Sequence, residues 1–294
     1  MKLKCEKLKF IVHYFERIFS DNRKLGEEFV TFARHVLKDA PDWSKSKAKL
    51  TTAKVYSEGT IEDNGVGMLQ MDFANCFIGG GVLNEGSVQE EIRFLINPEL
   101  MVSRLLCECM EDNEAIVITG AEQFSRYSGY GSSLTWSGDF RDQTPKDSLN
   151  RVDVRVVAAD ALHFDSHKIQ FRKQMIDREL CKALTAFHPS GSDQKPSAVA
   201  TGNWGCGVFN GDANLKFLIQ LMAASAAKRD ICYFTFGEGK LDEELANMFN
   251  FLISKNINVG QIYKLLISYY SNVVMVSPRR LEMTLYDFIY QQHE

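Results

Sequence analysis

No stretch of the 294-residue sequence approaches the roughly 20 consecutive apolar residues that a membrane-spanning helix needs, so no membrane partner is expected. Positive charge is also scarce: 34 Lys and Arg stand against 38 Asp and Glu, a formal charge of −4. A broad basic surface for direct contact with nucleic acid is thereby excluded. With 6 prolines, 20 glycines and 45% hydrophobic residues, the composition is neither that of a disordered chain nor that of a fibrous one. There is no internal repeat and no low-complexity tract.

The seven cysteines, at positions 5, 76, 107, 109, 181, 206 and 232, are odd in number, and no secretory signal precedes them. Reduced thiols in a nuclear or cytoplasmic protein are expected. Cys107-Glu108-Cys109 has no second Cys or His pair at zinc spacing, and the six histidines show no triad or ligand pattern, so no metal is expected. Met1 to Ser20 has the lysines and large apolar residues of a mitochondrial presequence. Glu6 and Glu16 are acids that such segments avoid, which ranks the mitochondrion second.

Leu8, Ile11, Val12, Phe15 and Phe19 follow helical spacing and predict a helix docked through that stripe. Phe29, Phe32, Ala33, Val36 and Leu37 predict a second helical face, so residues 1–45 are expected to be a helical accessory region too short for its own core. From Thr51 the texture changes to short apolar runs: 53–56, 68–73, 115–119, 152–158, 198–201 and 231–236. These read as strands. Helical stretches at 88–95, 98–110, 168–187, 213–229 and 241–256, with a helical tail at 259–290, alternate with them. Residues 46–294 are thus expected to form a three-layer α/β domain.

The densest chemical signal is Met71-Asp72-Phe73-Ala74-Asn75, then Gly79-Gly80-Gly81, then Gln89-Glu90-Glu91 before an apolar run. Three glycines after a strand let the backbone approach a ligand closely. Two acids at the start of a helix are also favoured by its dipole, which is the plainer explanation. Capping alone does not account for the glycines, the polar strand end and the acids together. A second glycine-rich turn, Thr201 to Gly211, precedes a helix that Asp212 would cap. Its loop amides, from Gly205 to Phe209, suit an anion. Cys206 has no histidine placed beside it by the sequence and reads as a packing residue.

The segment from Gly79 to Glu99, GGGVLNEGSVQEEIRFLINPE, resembles the signature of the poly(ADP-ribose) glycohydrolases, in which GGG is followed after a short spacer by QEE. The resemblance extends to Ile61-Glu62-Asp63-Asn64-Gly65, Tyr127-Ser128-Gly129-Tyr130, Asp160 to Phe164, Ala200 to Gly207 and Tyr233 to Gly237. It implies a macrodomain-like α/β/α sandwich with a mixed sheet as catalytic domain at 46–294, preceded by a short remnant of the family's helical accessory region. Glu85 departs from the family by placing a charge in the glycine loop, where it could alter substrate entry.

The implied activity is hydrolysis of ribose–ribose glycosidic bonds in poly(ADP-ribose), by a monomer that takes no cofactor and acts on poly(ADP-ribosyl)ated proteins. By resemblance Asp72 and Asn75 set the ribose, Gln89 and Glu90 hold substrate groups, and Glu91 transfers the proton. The loop of Asn203, Gly205, Cys206, Gly207, Val208 and Phe209 takes the diphosphate. Adenine lies between Tyr130 and Phe236, with Ile61 and Glu62 at its edge and Tyr127 and the Gly79–Gly81 backbone completing the site. For Phe236 the sequence alone favours core packing, since Phe234 and Phe236 point the same way on a strand. The rivals are an ADP-ribose reader that binds without cutting and an inactive shortened form.

Overall fold

In the computed structural model, which describes residues 2–20, 27–189, 196–237, 239–277, 281 and 283–293, helices and strands alternate along the chain. In order they are α1 (Lys2–Ser20), β1 (Thr31–Val36), β2 (Ala53–Tyr56), α2 (Ile61–Asn64), β3 (Leu69–Asp72), α3 (Gln89–Ile96), α4 (Ser103–Leu106), β4 (Glu114–Thr119) and β5 (Ser125–Ser128). There follow β6 (Thr135–Asp139), β7 (Arg155–Ala158), α5 (Lys173–Phe187), β8 (Val199–Gly202), α6 (Ala213–Ala226), β9 (Ile231–Phe234), α7 (Leu241–Ser254), α8 (Val259–Tyr269) and α9 (Leu285–Gln291). These gather into two compact units. The first is Met1–His35, Val66–Glu111 and Ala115–Asp160, and the second is Val36–Gly65, Asp112–Glu114 and Ala161–Glu294. Residues 1–45 therefore contribute to both.

In the first unit the strands lie in the order β1-β4-β7-β3. β7 is antiparallel to β4, with Ala158 opposite Ile116, and parallel to β3, with Ala158 beside Asp72. All of β3 is buried, as a strand covered on both faces must be, and its burial carries Asp72 inward. α3 packs on β3, and α1 packs on α3 and on the β5–β6 hairpin. Phe10, Phe94, Leu95, Ile116 and Val156 form the centre of the core.

Three expectations for this unit are corrected. Residues 31–36 are a strand, not a helix: so short an apolar run fits either period, and the edge of β4 supplies backbone partners that a helix would forgo. α1 does form, but it docks through the opposite face. Leu8, Val12, Phe15 and Phe19 are exposed, whereas Glu6, Lys7, Phe10 and Arg17 are buried. Each buried charge has partners. Glu6 accepts the Trp136 N–H, and Arg17 donates to Asp139 and to the Phe140 carbonyl. The helix expected over 98–110 is a 3-10 turn, Pro98–Val102, followed by α4, which stops at Leu106.

In the second unit β8, β9 and β2 lie side by side, all parallel, with Ile231 between Val199 and Ala53. α5 packs on α6, α6 on α8, and α7 on β2. Between α5 and α6 the carboxylate of Glu179 meets the ammonium of Lys216, both 1% exposed. Glu179 also accepts from Arg178 at 2.7 Å and from the Leu162 N–H at 3.1 Å. The Lys216 ammonium lies 4.3 Å from the centre of the Trp204 ring. Glu179→Gln leaves this cation facing a neutral amide, and the expected cost is about 3–5 kcal/mol in chemical denaturation. Glu179→Met combined with Lys216→Met should recover most of that loss, and a double variant no more stable than Glu179→Gln would refute the pairing.

Candidate active site

β3 ends on Asp72, and a loop then runs to Val88 before α3 begins. The first turn of α3 presents Glu90 and Glu91, whose side chains diverge as consecutive helical residues do. Glu90 accepts the Asn75 N–H at 2.9 Å on one oxygen and the Gly79 N–H at 2.6 Å on the other. Glu91 accepts the Gly81 N–H and the Val88 N–H, each at 2.9 Å. The Val88 contact closes one half of a capping box, so Glu91 also caps the helix that carries it. A Cβ at Gly80 would lie 2.6 Å from an oxygen of each carboxylate, and one at Gly86 would lie 2.4 Å from Glu91. The glycines are thus required by the acids themselves, before any ligand is considered.

The loop carbonyls turn to cations instead. Arg104 donates to Gly80 O at 2.7 Å. Lys7 of α1 donates to Gly81 O at 3.2 Å, Val82 O at 2.9 Å and Asn84 O at 2.8 Å, and also to Gly86 O. Sequence reasoning missed both residues. The signal for Lys7 was its place one turn before Phe10 on a single helix face. Glu85 points outward to Lys4 at 2.9 Å, an exposed pair of little energetic consequence.

Other expected residues have specific places. Both ends of the Gln89 amide are engaged with the end of β3, accepting from Phe73 N at 2.8 Å and donating to Met71 O at 3.2 Å. Asn75 folds its side chain over the loop, accepting from Phe77 N at 3.0 Å. The Tyr130 ring is exposed, and its hydroxyl takes the Gln89 N–H beside Glu91. Tyr127 packs on the core. The first unit therefore brings Asp72, Asn75, Gly79–Gly81, Gln89, Glu90, Glu91 and the Tyr130 hydroxyl into one cluster.

In the second unit the Asn203 amide is tied to Tyr233 Oη at 3.0 Å and to Thr235 O at 3.2 Å. Gly205 is buried against Lys216, and Cys206 is half-buried. Gly207 and Val208 are exposed and open a 3-10 turn that ends at Phe209. Their N–H groups have no partner within that turn. Phe209 packs edge-on against His163. Asp212 caps α6 through the Leu215 N–H at 2.8 Å and holds His167 at 3.0 Å. Ile61 is buried and Glu62 half-buried on α2. Phe236 departs from the core packing that alternation suggests. β9 ends at Phe234, and Phe236 takes φ 56° with 43% of its surface exposed. A left-handed conformation costs a bulky residue about 1–2 kcal/mol, and such strain gathers at functional sites.

Both carboxyl oxygens of Asp72 are buried without a hydrogen bond. That burial pushes its pKa from 3.8 up to about 8, against the pull of Arg93 and with the help of Glu91. Burial likewise raises Glu90 well above the carboxylate range, reinforced by Asp72 and opposed by its two amide donors. A raised carboxyl pKa means that the native state holds a proton that the unfolded chain has released. The stability that this contributes is complete below pH 3.8 and is lost as pH rises toward 8. Asp72→Asn removes this titration. Between pH 5 and 8 the wild type should lose up to about 1.4 kcal/mol per pH unit relative to the variant. Parallel stability curves in urea at the two pH values would show that Asp72 is not the group responsible.

The family model for poly(ADP-ribose) glycohydrolase, macro domain fold, matches residues 40–243. Among similar proteins, poly(ADP-ribose) glycohydrolase 1 of Caenorhabditis elegans is 38% identical over 273 residues, which are 89% of this chain and 35% of the worm protein. Poly(ADP-ribose) glycohydrolase 1 of Arabidopsis thaliana is 36% identical over 332 residues, covering 90% of this chain and 60% of the plant protein. The chain thus spans only part of the length of these relatives. The structure of the Deinococcus radiodurans glycohydrolase in complex with ADP-ribose is 19% identical, covers 72% of this chain and 87% of its own, and superimposes with a TM-score of 0.37, too distant to add to the assignment. Matched over more than half its length by the family model, the chain belongs to the poly(ADP-ribose) glycohydrolase family and has its macro domain fold.

Proposed function

We propose that the chain hydrolyses the ribose–ribose glycosidic bonds of poly(ADP-ribose) and releases ADP-ribose, with Glu91 as general acid and base. The observation that carries this is the pair of buried carboxylates, Glu90 and Glu91, each fixed by two amides of one loop. Glycoside hydrolysis passes through an oxocarbenium-like state. It needs one group to protonate the leaving oxygen and a carboxylate to steer water. Glu91 gives its proton to the departing ribose oxygen as the glycosidic bond breaks. Water then adds to the anomeric carbon and returns a proton to Glu91. Each carboxylate oxygen accepts one hydrogen bond from the chain and keeps a second lone pair, which on Glu90 is available to ribose hydroxyls.

Taken by itself, the second unit carries neutral donors and an exposed aromatic face. The N–H groups of Gly207 and Val208 suit a diphosphate, and the strained, exposed ring of Phe236 suits adenine. The Tyr130 hydroxyl, beside Glu91, belongs with the acids in this scheme. No metal or nicotinamide is invoked, the polymer and the proteins carrying it are the partners, and the cysteine pattern favours the nucleus or cytoplasm.

Glu91→Gln keeps the shape but removes the transferable proton, so release of ADP-ribose from an automodified acceptor protein should fall about 10²- to 10⁴-fold. Affinity for ADP-ribose should remain near native. Near-native turnover in this variant, with collapse only in Glu90→Gln, would reverse the two roles, and binding without release in the wild type would make the protein a reader. Phe236→Ala should weaken ADP-ribose by about 1–3 kcal/mol in calorimetry; unchanged affinity would remove the ring from the adenine site.

A further inference from the structure

Lys7 lies on a surface helix, yet it is 5% exposed. Four carbonyls, those of Gly81, Val82, Asn84 and Gly86, converge on its three ammonium protons. Enclosing a cation is costly unless dipoles of this kind replace water, and the negative charges that act on it are Glu91 and Glu85. The carbonyls belong to the same loop whose amides hold the acids. Gly81 is fixed at both ends, its N–H on Glu91 and its carbonyl on Lys7. Gly86 gives its carbonyl to Lys7, and a Cβ at that position would lie 2.4 Å from the Glu91 carboxylate. A shift of this loop therefore moves the donors that aim the catalytic carboxylate.

We propose that Lys7 is a positioning residue for the glycosidase reaction, fixing the Gly79–Val88 loop from α1 and, through that loop, the carboxylate of Glu91. The proposal rests on the activity proposed above. Apolar packing alone does not explain the arrangement: Gly81 O also accepts the Asn84 and Gly86 N–H groups, but a side chain without donors would take away the ammonium that the carbonyls of Val82, Asn84 and Gly86 share.

The test uses the whole chain carrying Lys7→Met, Lys7→Arg or Lys4→Met, with circular dichroism and thermal denaturation to confirm folding. In Lys7→Met, kcat for ADP-ribose release should fall about 10- to 100-fold, the scale set by a misplacement near 1 Å, with KM changed less than about threefold. Amide exchange at Gly81 and Val88, the two donors to Glu91, should accelerate at least tenfold on the same scale. Lys7→Arg keeps charge and donors and should recover a large part of kcat. Lys4→Met breaks only the exposed pair with Glu85 and should match the wild type. If Lys7→Met does not fold, Lys7→Gln carries the same measurements. A folded variant with native kcat would overturn the proposal. A wild-type chain that releases no ADP-ribose would overturn the activity instead, and the exchange rates would then decide whether Lys7 fixes the loop.

Discussion

The first unit depends on one loop whose peptide groups are divided between charges of opposite sign. Between Asn75 and Val88 the amides of Asn75, Gly79, Gly81 and Val88 turn toward Glu90 and Glu91, and the carbonyls of Gly80, Gly81, Val82, Asn84 and Gly86 turn toward Lys7 and Arg104. A loop without regular structure leaves its backbone groups needing partners. Here many of those partners are the carboxyl groups of Glu90 and Glu91 and the cations of Lys7 and Arg104, and the rest are turns within the loop, such as Val82 N–H to Gly79 O. The glycines follow from this arrangement, because a Cβ at Gly80 or Gly86 would occupy the space of a carboxylate oxygen.

The same constraint explains the neighbouring elements. α3 must begin where Val88 can give its N–H back to Glu91. β3 must end where Gln89 can tie Phe73 and Met71, and this leaves Asp72 buried with neither oxygen hydrogen-bonded. A well-solvated carboxyl would titrate near 4, far from a pH at which protons are usefully exchanged. Burial in place of solvation moves Asp72 to about 8, at a cost in stability that grows as pH rises from 3.8 toward 8.

Much of this was legible in the residues. The apolar runs and their punctuation give β2, β3, β4, β7, β8 and β9 and the helices α3, α5, α6 and α7, but not the β5–β6 hairpin, whose strands alternate exposed with buried or half-buried positions, and the glycine triplet with its acids marks the candidate site. Positions where burial is polar were not legible. Periodicity finds a buried face only when that face is apolar, so Leu8, Val12, Phe15 and Phe19 suggested the docked side of α1, while Lys7, Phe10 and Arg17 form it. Residues 31–36 show the same limit from another direction: the period of six residues is ambiguous, and the edge of β4 decides it.

Phe236 carries the contrast between pattern and structure furthest. Alternation along a strand places it with Phe234 in the core, and only the end of β9 at Phe234 and a left-handed φ of 56° turn it outward. Neither feature is written in the spacing of apolar residues. Tyr56 stacks on Phe234 at 5.5 Å between ring centres, a pairing in which Phe236 takes no part. The ring lies against Gly202, where a Cβ would come within 2.7 Å of it, and 43% of its surface stays exposed; an open face of this kind is what the proposed adenine contact requires.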